Sequence, residues 1–228
     1  KEKRQNGYST QINYDTADDL VLMRNNFPGT IICRINKYNP LYAEDEINQA
    51  IDGGADELLL PMVENKEEVN HVLKIVNNRC KVGILIETDA AVNNAASFTD
   101  LPLSRIYIGL NDLHISRKSV NIFEPLVDTT VEKIKSLFPH IPVGVGGLTH
   151  PEKGDPIPSS ILLKQYAALN INFSFLRRSF IKDIAETGVD TTVHAIKEGL
   201  FKADSISNEE KNLVSEKLKS YIFSTTDA

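Results

Sequence analysis

Val82-Gly83-Ile84-Leu85-Ile86-Glu87-Thr88 is an apolar run that ends in a carboxylate, and Ile106-Tyr107-Ile108-Gly109-Leu110-Asn111-Asp112-Leu113 repeats the pattern one unit further along. A strand made of Ile, Leu and Val is buried on both faces, as in parallel sheets covered by helices. An acid at the carboxyl end of such a strand faces a mouth at the end of the sheet instead of the core. Two such acids, one strand–helix unit apart, make half of a site for a hard metal ion.

Working outward, similar short runs occur at 30–36, 57–61, 105–109, 142–146 and 173–177, with helical patterns between them. This alternation predicts a repeating βα unit and a parallel sheet. Asn65 followed by Glu68 predicts an N-cap with a capping-box partner, ahead of the stripe Val69, Val72, Leu73 and Val76. Ile47, Ala50 and Ile51 form another stripe, stopped by Gly53-Gly54. Pro158 suits the first turn of a helix carrying Ile161, Leu162 and Leu169, because its missing N–H has no partner to lose there. Near the beginning, a helix is expected at about 16–26, with Leu20, Met23 and Phe27, and Ser9–Tyr14 can extend.

Residues 181–228 read as helices only. Ser207 with Glu210 caps a last stripe of Leu213, Val214, Leu218, Tyr221 and Ile222. With no strand beside it, that stripe packs either on its own domain or on a neighbouring subunit. The whole chain, 1–228, is expected to be one domain, with the helical extension following residue 180.

Composition narrows the field. The 228 residues are 41% hydrophobic and 25% charged, enough for one α/β domain with a sizeable core. A net charge of −6 without a basic stripe argues against nucleic acid and anionic membrane as partners. No apolar run approaches the roughly 20 residues that span a bilayer. Cys33 and Cys80 lack metal-type spacing, which fits reduced thiols in a cytoplasmic protein.

Four motifs, in order and at suitable spacing, resemble one family. They are Cys-Arg-Ile-Asn (33–36), Gly-Ala-Asp-Glu-Leu-Leu-Leu-Pro-Met-Val (54–63), Ile-Glu-Thr (86–88) and Tyr-Ile-Gly-Leu-Asn-Asp-Leu (107–113). Together they look like the HpcH/HpaI aldolase and citrate lyase β-subunit family over roughly residues 30–180. The resemblance implies a (β/α)8 TIM barrel. Six βα units do not close it, so one or two strands are expected upstream of Lys1. The opening Lys1-x-x-Arg4-Gln5 also resembles a stretch that follows the second barrel strand in some relatives.

By the same resemblance, Glu87 and Asp112 match the two metal-ligand carboxylates. Mg²⁺ or Mn²⁺ is the expected cofactor, since these ions take oxygen ligands and keep several waters. The competing reading makes each acid a cap for the helix that follows. Arg34 matches the family's substrate-binding arginine, whose planar fork holds a carboxylate or keto oxygen and stabilises enolate charge. The alternative is a scaffold pair with Glu64. Backbone N–H groups at Asn111 and Asp112 would receive a substrate carboxylate, Gly109 would allow close approach, and Pro61 would shape and line the pocket. Gly146-Gly147 is either an open turn at that mouth or an ordinary strand end. His71 and His194 fall in helical patterns and His140 in a turn, whereas His114 and His150 lie at the expected mouth. Arg178, after the last strand, suits an anion, an interface or an ion pair.

Two departures matter. Leu85 stands where the aldolase branch commonly has glutamine, which is closer to the citrate lyase style. The aldolase branch's His–Asp base pair would lie upstream of Lys1. The expected activity is a metal-dependent carbon–carbon lyase acting on a 2-oxo acid through a pyruvate-like enolate. No lysine at a strand end suits a Schiff base. The alternatives are cleavage of an acyl-CoA thioester and a metabolite-binding barrel without catalysis. Relatives of this family are commonly hexamers built from dimers, so a homo-oligomer is expected.

Overall fold

The computed structural model describes residues 16–155, 157–177 and 179–224. Lys1, Arg4, Gln5, the segment Ser9–Tyr14 and Arg178 lie outside the described residues. Five strands form one parallel sheet in sequence order: β1 (Ile32–Arg34), β2 (Glu57–Leu60), β3 (Lys81–Ile86), β4 (Ile106–Ile108) and β5 (Val143–Val145). Short, unbroken apolar runs separated by helices give this topology because each strand must be covered on both sides. Leu58, Leu60, Ile84, Ile86, Ile106 and Ile108 are all fully buried.

The sixth expected strand is present in reduced form. Residues 173–176 join β5 and its continuation through two isolated bridges, Gly144 to Phe173 and Leu148 to Leu176. Ladder hydrogen bonds such as Val145 N–H to Phe173 O (3.3 Å) hold this edge. Among the described residues the sheet runs from β1 to the 173–176 segment in sequence order, the order expected of consecutive barrel staves.

The helices follow the stripes. α1 (Ala17–Asn26) starts at Thr16, which forms a capping box with Asp19. Only Leu20 of its expected face packs against the core, while Met23 and Phe27 are exposed. α2 (Ala43–Asp52) buries Ala43, Ile47 and Ala50, and α3 (Lys66–Val76) buries Val69, Val72 and Val76. Asn65 caps α3 through the Glu68 N–H at 3.0 Å, but Glu68 does not reciprocate. Its carboxylate reaches one residue further back, to the Glu64 N–H at 3.0 Å, so the expected box is open.

Short α4 (Asp89–Asn93) and α5 (Leu110–Arg117) follow β3 and β4, and α6 (Thr130–Leu137) precedes β5. Pro158 stands one position before α7 (Ser159–Ala168), at its N-cap. Beyond α8 (Phe180–Asp183) and α9 (Val189–Asp204), the last helix α10 (Asn208–Ser224) carries the capping box read from the sequence. The Glu210 N–H donates to Ser207 Oγ at 3.2 Å, and the Ser207 N–H to Glu210 Oε2 at 2.8 Å. The α10 stripe packs on its own domain at Leu218 and Ile222, both fully buried, whereas Leu213 is 64% exposed. Cys33 and Cys80 are free thiols, each raised above its ordinary pKa chiefly by burial.

Candidate active site

Alternation along a strand puts residues i and i+2 on one face. Leu85 and Glu87 therefore share a face, as do Tyr107 and Gly109, and the β3–β4 register sets Leu85 beside Tyr107. That face opens at its carboxyl end into a cavity of about 690 Å³. Its lining includes Arg34, Leu85, Glu87, Tyr107, Asn111 and Asp112.

Glu87 is 2% exposed. The Met62 N–H, at the turn after β2, donates to its Oε1 at 2.9 Å. Gly109 makes room on the other side: a Cβ there would stand 2.7 Å from Glu87 Oε2. A side chain at 109 would push the carboxylate out of place, so close approach to Glu87 itself accounts for this glycine. Thr88, not Glu87, caps the following helix, accepting from the Ala91 N–H at 3.0 Å. Glu87 is therefore not the cap of α4. Asn111 and Asp112 sit in the first turn of α5, where helix geometry provides N–H groups no acceptor within the helix.

The cavity carries charge of both signs. Arg34, at the end of β1, is exposed and lines the cavity. The expected scaffold partner, Glu64, is taken by Lys37 at 2.6 Å. Tyr107 is the main polar group that sequence reading missed. Its ring lies 4.5 Å from that of Phe175, and burial raises its phenol well above the ordinary pKa. The Glu87 charge adds to this rise and Arg34 opposes it. The phenol is thus a neutral hydrogen-bond donor beside the two charged groups. Its signal was available in the sequence, since it stands two residues before Gly109 on the same face. His114 also lines the cavity, with Nδ1 3.0 Å from Ser119 Oγ.

Several expectations are corrected or narrowed here. Pro61 is buried but is not among the residues lining the cavity. The chain turns at Met62 with φ of 55°, so a backbone N–H is what this segment presents to Glu87. His150 is likewise absent from the lining; its Nδ1 accepts from the Glu152 N–H at 3.2 Å. Gly146 and Gly147 do line the cavity, as the open-turn reading requires. Arg177, the neighbour of the Arg178 that the sequence reading favoured, lines it too.

The donor set fits a hard divalent cation. Glu87 and Asp112 offer carboxylate oxygens in one cavity, and no group of three or more His, Cys, Asp or Glu side chains able to hold a metal occurs among the described residues. Two carboxylates suit an ion that keeps waters and takes substrate oxygens, and do not suit a closed tetrahedral zinc site. No helix among the described residues is long and apolar enough to cross a membrane.

Comparisons with known proteins agree with this picture. Residues 14–122 match the family model described as HpcH/HpaI aldolase/citrate lyase, which bears out the resemblance read from the motifs. No curated protein sequence matches the chain. Among solved structures, RipC from Yersinia pestis is similar with a TM-score of 0.57 and 14% identity, over 89% of this chain and 88% of that one. The protein CitE from Mycobacterium tuberculosis, in complex with magnesium and pyruvate, is similar with a TM-score of 0.51 and 17% identity, over 75% of this chain and 74% of that one. The citrate lyase β subunit from M. tuberculosis, complexed with oxaloacetate and magnesium, gives the same TM-score and identity over 77% and 73%. These likenesses establish a shared fold.

Proposed function

We propose that this chain, which over residues 14–122 belongs to the HpcH/HpaI aldolase/citrate lyase family, is a divalent-metal-dependent carbon–carbon lyase of the aldolase type. Its substrate is a 2-oxo acid, cleaved to leave a pyruvate-like enolate. The observation that carries this reading is the convergence of Glu87, Asp112 and Arg34 on one cavity at the carboxyl end of the sheet. Magnesium in the two M. tuberculosis structures, and pyruvate in one of them, support the same chemistry.

Glu87 and Asp112 would hold the ion, Mg²⁺ or Mn²⁺. When bound, it supplies Lewis-acid polarisation of the 2-oxo oxygen, which acidifies the adjacent carbon. The chain's own residues do the rest. First-turn N–H groups at Asn111 and Asp112 receive the substrate carboxylate. Arg34 places a fixed positive fork near the oxygen on which charge develops, and a charge already oriented needs no reorganisation during reaction. Leu85 gives this part of the wall an apolar surface that makes no demand on the substrate's polar groups.

The test is proton exchange. Incubated with pyruvate and Mg²⁺ or Mn²⁺ in heavy water, the protein is expected to exchange the methyl protons, and Glu87→Ala or Asp112→Ala to stop it. Absence of exchange with the native chain would leave a metabolite-binding barrel. The second reading, cleavage of an acyl-CoA thioester, is favoured by Leu85 in the cavity wall and predicts exchange only when an acyl-CoA is supplied. The exposed Leu213 of α10 is available to a neighbouring copy, and a dimer-based assembly by light scattering at micromolar concentration is the outcome expected of this family reading.

A further inference from the structure

The register of β4 and β5 sets Tyr107 beside Gly144. Its hydroxyl nevertheless lies over Gly146, two residues nearer the carboxyl end of the sheet, where a Cβ would collide with the phenol oxygen. The side chain thus leans along the sheet toward the mouth, and both Tyr107 and Gly146 line the cavity. Two rings hold it in that pose, Phe175 at 4.5 Å and Phe173 at 6.2 Å between centroids. Gly146 is held as well, because its carbonyl accepts from the Tyr166 hydroxyl at 2.5 Å.

The Tyr107 hydroxyl has a proton to place. Its surroundings are set by burial and by the charges of Glu87 and Arg34, with no hydrogen bond contributing. Nor is its oxygen one of the sealed polar atoms without a partner, which among the described residues are Gln165 Oε1 and Arg177 Nη2. The hydroxyl is therefore open to the cavity. Phenylalanine would fill the same space against Phe173 and Phe175, so packing alone leaves the oxygen unexplained. A tyrosine hydroxyl on a largely buried ring normally finds a partner. Here a ligand in the cavity supplies it.

We propose that Tyr107 is a catalytic residue whose hydroxyl donates a hydrogen bond to the ligand's 2-oxo oxygen, most strongly when that oxygen carries enolate charge. The inference rests on the lyase reading of the same cavity and adds a neutral donor to the guanidinium of Arg34. A donor already fixed by its neighbours needs no reorganisation as charge develops, so it is worth more in the transition state than in the bound substrate.

Methyl-proton exchange of pyruvate with Mg²⁺ in heavy water tests it, alongside calorimetric binding of oxalate, a planar dianion that resembles the enolate. Tyr107→Phe is expected to lower kcat for exchange about 10²-fold while KM changes by less than about 3-fold. It is expected to weaken oxalate binding about 10-fold or more, the worth of a hydrogen bond to a charged group. Unchanged Mg²⁺ affinity shows that the variant is folded. Gly146→Ala puts a methyl group where the hydroxyl lies, so it is expected to reproduce these losses in the native chain. In the Tyr107→Phe background it should add less than about 3-fold, the non-additivity of two changes at one contact. Exchange and oxalate affinity that survive Tyr107→Phe overturn the proposal, and so do losses from the two substitutions that simply multiply. A native chain that exchanges no protons removes the lyase reading, and oxalate then decides the hydroxyl by itself. Weaker oxalate binding by Tyr107→Phe upholds the contact; equal binding, or none by the native chain, overturns it.

Discussion

Two glutamates, Glu57 and Glu87, are equally buried (1% and 2% exposed) on the same face of one sheet, yet they end in opposite surroundings. Glu57 stands at the amino end of β2. Its two oxygens accept from Arg105 Nε and Nη2, both at 2.6 Å, and Ser104 Oγ adds a third bond at 2.6 Å. Arg105 in turn lies over the Phe173 ring, 5.0 Å from its centroid. Glu87 stands beyond the carboxyl end of β3, where the Met62 N–H meets one oxygen and the carboxylate shares a cavity with Asp112. A glycine clears space for each, Gly83 for Glu57 and Gly109 for Glu87. The difference lies in what surrounds each carboxylate. At the amino end an arginine fork holds both oxygens, which makes scaffold. At the carboxyl end a second acid lines the same cavity, an arrangement suited to a divalent cation, and this is where chemistry is expected.

The sharpest way to break this contrast is to remove each acid in turn. Glu57→Ala strands the Arg105 charge in a part-buried site and is expected to lower stability by about 3–5 kcal/mol, measured by urea unfolding. Glu87→Ala is expected to lose less stability than that. Instead, pyruvate proton exchange should fall by about 10²-fold or more, the range seen when an electrostatic stabiliser is removed. If the two variants lose similar stability and Glu87→Ala retains exchange, the division between the ends is wrong.

Gly109→Ala sharpens the comparison further. The added methyl group must displace Glu87 or the backbone, so a loss of about 1–3 kcal/mol is expected from overpacking, together with weaker Mg²⁺ binding by calorimetry. The smallest effect concerns Asp183, near Arg177. Hydrogen bonding from Thr149 holds its carboxyl below the ordinary value of 3.8, with a further contribution from Ser179. A lowered folded pKa contributes stability that is present above the ordinary value and lost as pH falls through the folded one. The stability gap between the native chain and Asp183→Asn should therefore be steady near neutrality and shrink below pH about 4, in urea titrations at a series of pH values.

What was legible in the sequence was mostly local. The strand runs 30–36, 57–61, 81–87, 105–109 and 142–146 all contain strands, because unbroken apolar runs have few other uses in a parallel sheet. The α10 capping box was legible for the same reason: its partners are three residues apart. Pairs formed across the fold were not. Glu57 and Arg105 are 48 residues apart, and nothing in either strand pattern announces their fork. Glu68 was misassigned by one residue because the sequence permits two backbone donors within its reach, and only the entry angle of the chain selects Glu64. Tyr107 was overlooked, and Arg177 passed over for its neighbour Arg178, for a different reason. A tyrosine inside an apolar strand and an arginine at a strand end look ordinary until the register sets them around one cavity.

Met62 carries a consequence of its own. At φ of 55° it occupies the left-handed region, which costs a residue other than glycine about 1–2 kcal/mol, and this twist aims its N–H at Glu87. A glycine at that position would relax the backbone but enlarge its freedom, loosening the direction of the N–H. Sequences selected only for heat resistance would be drawn toward that relaxation, whereas those selected for turnover would resist it. The β2–α3 corner is thus a place where robustness and reactivity pull on the same peptide bond.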